Sequence, residues 1–177
     1  MFAMEVDQDI KLGLVDTGFS KAYAELAKAN YDYLKQWLAW PDFCQSADDF
    51  RQFAKRSLHD YADGKSLTCG IFYQENLVGN ISFNDIDHKL KKVTMGYWLS
   101  ADYQGKGIIT RACQHLIQYA FNELDMQKIQ ISAAKENLAS RGVCERLNMT
   151  LEGTITHAEK VSDRILDHAI YGLYRES

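Results

Sequence analysis

Apolar residues return every three or four positions from Ile109 onward. Ile109, Ala112, Cys113, Leu116, Ile117, Ala120, Phe121 and Leu124 share one face, which predicts a helix from about Gly107 to Glu123. Tyr23, Leu26, Ala27 and Tyr31 repeat in the same way and predict a helix to about Leu34, with Ser20 as its N-cap. Phe50, Phe53, Ala54, Leu58 and Tyr61 predict another over Ala47–Tyr61, capped by Ser46. The single proline, Pro41, turns the chain between these two helices. Elsewhere the pattern is that of strands: Ile10–Leu14, Leu67–Tyr73, Leu77–Phe83, Val93–Leu99, Lys128–Ala133, Thr150–His157 and Leu166–Tyr174. A tight turn at Gln74-Glu75-Asn76 joins the second and third strands, Asp85–Lys92 reads as a charged loop, and Asn137–Leu147 as a short helix. The order predicts an α/β fold, a mixed twisted sheet flanked by helices, with two right-handed strand–helix–strand crossings in the second half. No repeat or linker interrupts it, so residues 1–177 read as one domain.

Composition narrows the chemistry. A hydrophobic fraction of 46% is that of a protein with a packed core. The net charge of −4 argues against a nucleic acid partner, because phosphate neutralisation calls for an excess of Lys and Arg. No apolar run is long enough to cross a bilayer, so no membrane partner is expected. Cys44, Cys69, Cys113 and Cys144 include no CxxC pair, and Met1–Ile10 has no leader pattern. Free thiols in a reducing cytoplasm are the expectation. The five histidines form no HxxxH or HExxH pair, so no metal is expected. Cys113 and His115 stand two apart on a helix and face different ways, which argues against a Cys–His nucleophile.

The stretch Gln104-Gly105-Lys106-Gly107-Ile108-Ile109-Thr110 lies between a strand and the strongest helix. A helix start leaves backbone N–H groups unpaired, and its dipole favours an anion. Glycines let the backbone come close to that anion, so the unit suits a diphosphate. It lacks the GxxxxGK[ST] of a Walker loop. It also lacks GxGxxG with an acidic residue closing the next strand, which here ends in Ser132-Ala133-Ala134. ATP and NAD therefore lose support. Two glycines at this spacing also occur in a plain turn.

Gln104-Gly105-Lys106-Gly107 ahead of a helix resembles the (Q/R)xxGx(G/A) motif of the GNAT superfamily of N-acetyltransferases, departing at its last position, where Ile109 replaces a small residue. Gly96-Tyr97-Trp98-Leu99 resembles the superfamily's cofactor-splaying strand. Asn137-Leu-Ala-Ser140 is similar to its NxxS segment, and Glu145-Arg-Leu-Asn148-Met149 to the E-x-x-G-F that follows, with Asn148 in place of glycine. Leu151-Glu-Gly153 follows as it does there, and Trp37…Trp40 resembles the RimJ/RimL branch of ribosomal-protein N-terminal acetyltransferases.

The resemblance implies a GNAT-type domain that binds acetyl-CoA where two parallel strands splay. The backbone of Trp98 and Leu99 would meet the pantetheine arm and polarise the thioester carbonyl. The amides of Gly105, Lys106, Gly107, Ile108, Ile109 and Thr110, with Gln104 ahead of them, would hold the pyrophosphate. Asn137 would bind near the thiol end. The amine acceptor, a protein N-terminus on this reading, gives up a proton, for which Glu159, His157 and Glu152 are candidates. Glu159 is preferred because Ala158-Glu159 resembles a RimL base position, and Ser140 is the candidate acid for the leaving thiol. Trp37 and Trp40 would line the acceptor groove or pack a helix. A small amine such as a polyamine, or a silent CoA-binding sensor, remains open as an alternative. Branch members form dimers, which implies a possible homodimer through the C-terminal strands.

Overall fold

The computed structural model describes all residues 1–177. An eight-stranded sheet runs in the order β1-β2-β3-β4-β5-β6-β8-β7. Its strands are β1 (Ala3–Glu5), β2 (Ile10–Leu14), β3 (Leu67–Tyr73), β4 (Asn76–Asp87), β5 (Lys92–Leu99), β6 (Lys128–Ala134), β7 (Thr150–Val161) and β8 (Arg164–Tyr174). The helices are α1 (Ser20–Ala29), α2 (Tyr31–Leu34), α3 (Ala47–Ala62), α4 (Ile108–Asn122) and α5 (Leu138–Arg146). This is the mixed α/β sheet expected. β5 and β6 are its parallel neighbours, and every other pairing is antiparallel.

The apolar stripe of α4 is buried from Ile108 to Phe121, and it joins Ile71, Ile81, Met95, Ile129 and Ile131 in the main core. Val15, Tyr23, Ala27, Phe50 and Ala54 form a second core, in which α1 and α3 meet. The Tyr23 hydroxyl hydrogen-bonds the Asn80 side-chain amide of β4 at 2.8 Å, which satisfies two buried polar groups at once. α3 begins with the expected Ser46 cap: Ser46 Oγ accepts from the Asp49 N–H, and the Asp49 carboxylate accepts from the Ser46 N–H.

Three differences from the sequence reading have identifiable causes. The first helix is not one piece from Ser20 to Leu34. Ser20 lies inside its first turn and donates to the Thr17 carbonyl, while Asp16 caps the preceding 3-10 turn. The helix breaks at Asn30, whose Oδ1 accepts from the Ala101 N–H at 2.9 Å and from Ser100 Oγ at 3.3 Å. Second, Asp85–Lys92 is not a loop. β4 runs on to Asp87 and β5 starts at Lys92, with the Asp87 carboxylate accepting from the Lys89 and Leu90 N–H groups in the turn. Third, the closing hairpin is longer than expected, reaching Val161 and starting again at Arg164. β8 returns between β6 and β7, pairing Lys128–Ala134 of β6 on one side and β7 on the other. The unforeseen β1 is three residues long, too short for alternation to register.

Candidate active site

β5 and β6 pair only from Lys92↔Lys128 to Met95↔Ile131. Beyond that point β5 follows β4 as far as Leu99↔Gly79, while β6 follows β8 as far as Ala134↔His168. The two strands part, and a cavity of about 610 Å³ opens at the parting.

The glycine loop and first turn of α4 supply Gln104, Gly105, Gly107, Ile108, Ile109 and Thr110 to its lining. Gly105 has φ +78° and Gly107 φ +70°, conformations that strain any residue with a Cβ. Gly107 is the N-cap of α4 and has no side chain to offer, and the first turn contains no acidic residue. The leading N–H groups of α4 therefore remain available to an anion. Arg111, one turn in, ties the loop back: its guanidinium donates to the Lys106 and Gly107 carbonyls and pairs with Asp7 at 2.7 Å. Burial pushes the Asp7 carboxyl up, but the Asp9 and Ile10 N–H groups and Arg111 outweigh it and hold the carboxyl below its ordinary value. Arg146, exposed on α5, donates to Thr110 Oγ1 at 3.3 Å and adds positive charge to the same wall. Ile109, at the motif's small position, is 7% exposed and belongs to the main core.

On the other wall stand Asn137 and Ser140. Asn137 caps α5, its Oδ1 accepting from the Ser140 N–H at 3.2 Å. Ser140 Oγ lies 3.1 Å from the Tyr97 hydroxyl, which also donates to the Ser140 carbonyl at 3.2 Å. Burial drives the Tyr97 phenol far above its ordinary range, so it keeps its proton. The sequence quoted Tyr97 only as part of a strand; a strand residue beside the motif, aimed at NxxS, was the available signal. Tyr97, Trp98 and Leu99 close the cavity at the parting, and Trp37 lines its side with the Arg164 guanidinium 5.8 Å over its ring.

Not all the candidates gather here. Lys106 is exposed and outside this lining. Trp40 lines a second cavity of about 340 Å³, which meets the first at Leu38, Tyr97 and Trp98; the Trp40 and Trp98 rings are 5.4 Å apart. Glu159 lines neither cavity. It sits on β7 just past a register shift, with His168 Nε2 at 3.1 Å from its carboxylate. Glu152 is held by Lys128 Nζ at 2.7 Å, and His157 is exposed with φ +52°, its N–H donating to Asp167.

No cysteine is poised as a nucleophile. Burial pushes the Cys44 and Cys144 thiols up to about 11 and Cys69 to about 12, and Cys113 goes higher still. No cluster of three or more His, Cys, Asp or Glu has metal-binding geometry, and no helix is long and apolar enough to cross a membrane.

A glycine-capped helix start at a parallel strand parting, with polar groups at the far end, suits a transferase that uses a nucleotide-linked donor. The family described as the acetyltransferase (GNAT) domain matches residues 19–150, and the chain belongs to it. The chain is accordingly an acetyl-CoA-dependent N-acetyltransferase. The ribosomal-protein-serine acetyltransferase of Escherichia coli (strain K12) is 32% identical over 168 residues, covering 95% of this chain and 94% of its own. Among solved structures, the self-immunity acetyltransferase MccE in complex with acetyl-CoA and AMP is 31% identical. It superposes with a TM-score of 0.93 over 97% of this chain and 96% of its own. RimL, a ribosomal α-N-protein acetyltransferase in complex with coenzyme A, is 28% identical with a TM-score of 0.94, over 98% of both chains.

Proposed function

We propose that the protein moves the acetyl group of acetyl-CoA to the N-terminal α-amine of a protein, a ribosomal protein foremost, in the cytoplasm. The parting of β5 and β6 over the glycine-capped start of α4 carries this reading. The pyrophosphate lies on the amides from Gly105 to Thr110, and the acyl end lies toward Trp98, Leu99, Asn137 and Ser140. The likeness to the E. coli ribosomal-protein-serine acetyltransferase and to RimL supports the choice of acceptor.

Transfer is direct. The neutral amine attacks the thioester carbonyl carbon, the C–S bond breaks, and an amide forms. A backbone N–H of Trp98 or Leu99 meets the oxyanion that develops on the way. The amine's proton passes to Glu159 through water, because Glu159 stands outside both linings. The leaving thiolate takes a proton from Ser140, which regains one from water in the open cleft, while the Tyr97 hydroxyl 3.1 Å away holds the serine in place. The protonated cysteines support direct attack over an acyl-enzyme. The exposed Leu151 and Ile155 on the edge strand β7 support pairing with a second copy.

The test is thiol release from acetyl-CoA with free N-terminal peptides, ε-amine peptides and polyamines. Release confined to the α-amine peptides is expected. Release confined to polyamines would move the acceptor to small amines, and acetyl-CoA binding without any release would leave a sensor.

A further inference from the structure

The second cavity is lined by one charged side chain, Arg56, and by no carboxylate. Arg56 forms no ion pair. Asp49 and Arg56 both act electrostatically on Cys44 of this lining, in opposite senses; the Asp49 carboxylate, outside the lining, accepts from the Gln45 and Ser46 N–H groups.

A second donor is built in by the backbone. β4 pairs Phe83 with Met95 and Asp85 with Thr94, so Asn84 is the extra residue of a bulge. Gly96 lies beneath it: a Cβ at Gly96 would come within 2.6 Å of Asn84 Nδ2. Ser82 Oγ donates to Asn84 Oδ1 at 2.6 Å, which fixes the orientation of the amide and leaves its NH₂ to donate, with no protein acceptor taken. Both Asn84, through its NH₂, and Arg56 line the cavity from its exposed side and offer donors to its occupant. Trp40, Phe50, Phe53 and Trp98 supply flat apolar walls. Such walls alone favour an ammonium group. The exposed, unpaired guanidinium of Arg56 beside them opposes that preference and favours a carboxylate, which can accept from both donors.

This builds on the acetyl-transfer reading above. We propose that the second cavity selects the acceptor. With the amine at the Tyr97–Trp98 junction, the cavity takes a carboxylate borne by the acceptor's first residue, held by Asn84 and Arg56, and rejects a second ammonium group.

The test compares Asp-Ala-Ala and Lys-Ala-Ala peptide amides, spermidine and free aspartate. Two readouts are used: tryptophan fluorescence of the CoA-loaded protein, since Trp40 and Trp98 are in the wall, and thiol release with acetyl-CoA. The Asp peptide is expected to bind and react about tenfold better than the Lys peptide and spermidine, a difference typical of one charge-assisted contact. Free aspartate matching the Asp peptide would identify a small amino acid as the carboxylate's source; a weaker response identifies a peptide. The double variant Asn84→Asp/Arg56→Glu should invert the order while its thermal shift with CoA stays at the wild-type value. Equal or reversed preference in the wild type, or an unchanged order in the double variant, overturns the pocket assignment. Thiol release that persists without discrimination leaves acetyl transfer standing; loss of CoA binding by the wild type overturns both.

Discussion

His168 Nε2 and the Glu159 carboxylate lie 3.1 Å apart on neighbouring strands, across the stretch where the β7–β8 register slips between Ile155 and Glu159. The slip leaves three residues of β7 without partners and turns Glu159 onto His168. A general base supplies about 10²–10⁴ in rate, so Glu159→Gln is expected to lower kcat by at least about a hundredfold. The KM for acetyl-CoA should hold. His168→Ala should cost less, since it removes only the group that orients the carboxylate. Steady-state kinetics at fixed pH check both, and an unchanged kcat in Glu159→Gln would place the base elsewhere.

The Tyr97–Ser140 hydrogen bond predicts a shared role. Ser140→Ala and Tyr97→Phe should each slow the release of thiolate. The double variant should lose little more than the worse single one, because Tyr97 acts through the Ser140 hydroxyl. Additive losses would mean that they act independently. Tyr97→Phe should also cost about 1 kcal/mol of stability, measurable by urea denaturation.

Gly105 and Gly107 occupy left-handed backbone, so alanine at either costs about 1–2 kcal/mol wherever the loop conformation is required. A Cβ at Gly105 would meet nothing within 4 Å. Its penalty is therefore conformational and should appear as roughly tenfold weaker acetyl-CoA binding by calorimetry. Unaltered affinity in both variants would remove the loop from the donor site.

Gly79 is required for a different reason. It pairs with Leu99 at the parting, and a Cβ there would press on the Trp98 carbonyl and lie 3.0 Å from Leu99 Cα. Gly79→Ala should displace the end of β5. A loss of about 1–3 kcal/mol in stability, together with a higher KM for acetyl-CoA, is the expected result.

The thiols predict a pH dependence. Cys44, Cys69 and Cys144 keep their protons up to about 11–12 when folded, against 9.0 otherwise. Above pH 9 the unfolded chain releases those protons and the native one holds them. Stability is therefore full below pH 9 and is lost as pH rises toward the folded values. Urea midpoints from pH 7 to pH 10.5 should fall only at the alkaline end, and the fall should shrink in Cys69→Ala.

Much of this was legible in the chain. The α4 stripe announced its helix because eight apolar residues keep one period, whereas the glycines, whose spacing also fits a plain turn, pointed to a phosphate loop only together with the motifs that resemble the GNAT family. Asn30 was not legible: its break in the first helix depends on Ser100 and Ala101, seventy residues away. The Asn84 bulge was equally hidden, because Asp85-Ile86-Asp87 reads as a charged loop until its partner Lys92-Val93-Thr94 is known. Glu159 was found by likeness to a motif, and nothing in its neighbours foretold the register slip that gives it His168.

The return of β8 between β6 and β7 has a consequence in time. β6 is one of the two strands whose parting opens the donor cleft, and its seven residues are paired on the edge away from β5 by His168–Tyr174, which follow the glycine loop, α4 and α5 in the chain. The glycine cradle can form early from neighbouring residues, whereas the cleft behind it waits on a long-range closure. A nascent chain therefore acquires the parts of its donor site in order, and the site becomes whole only when synthesis has passed β8.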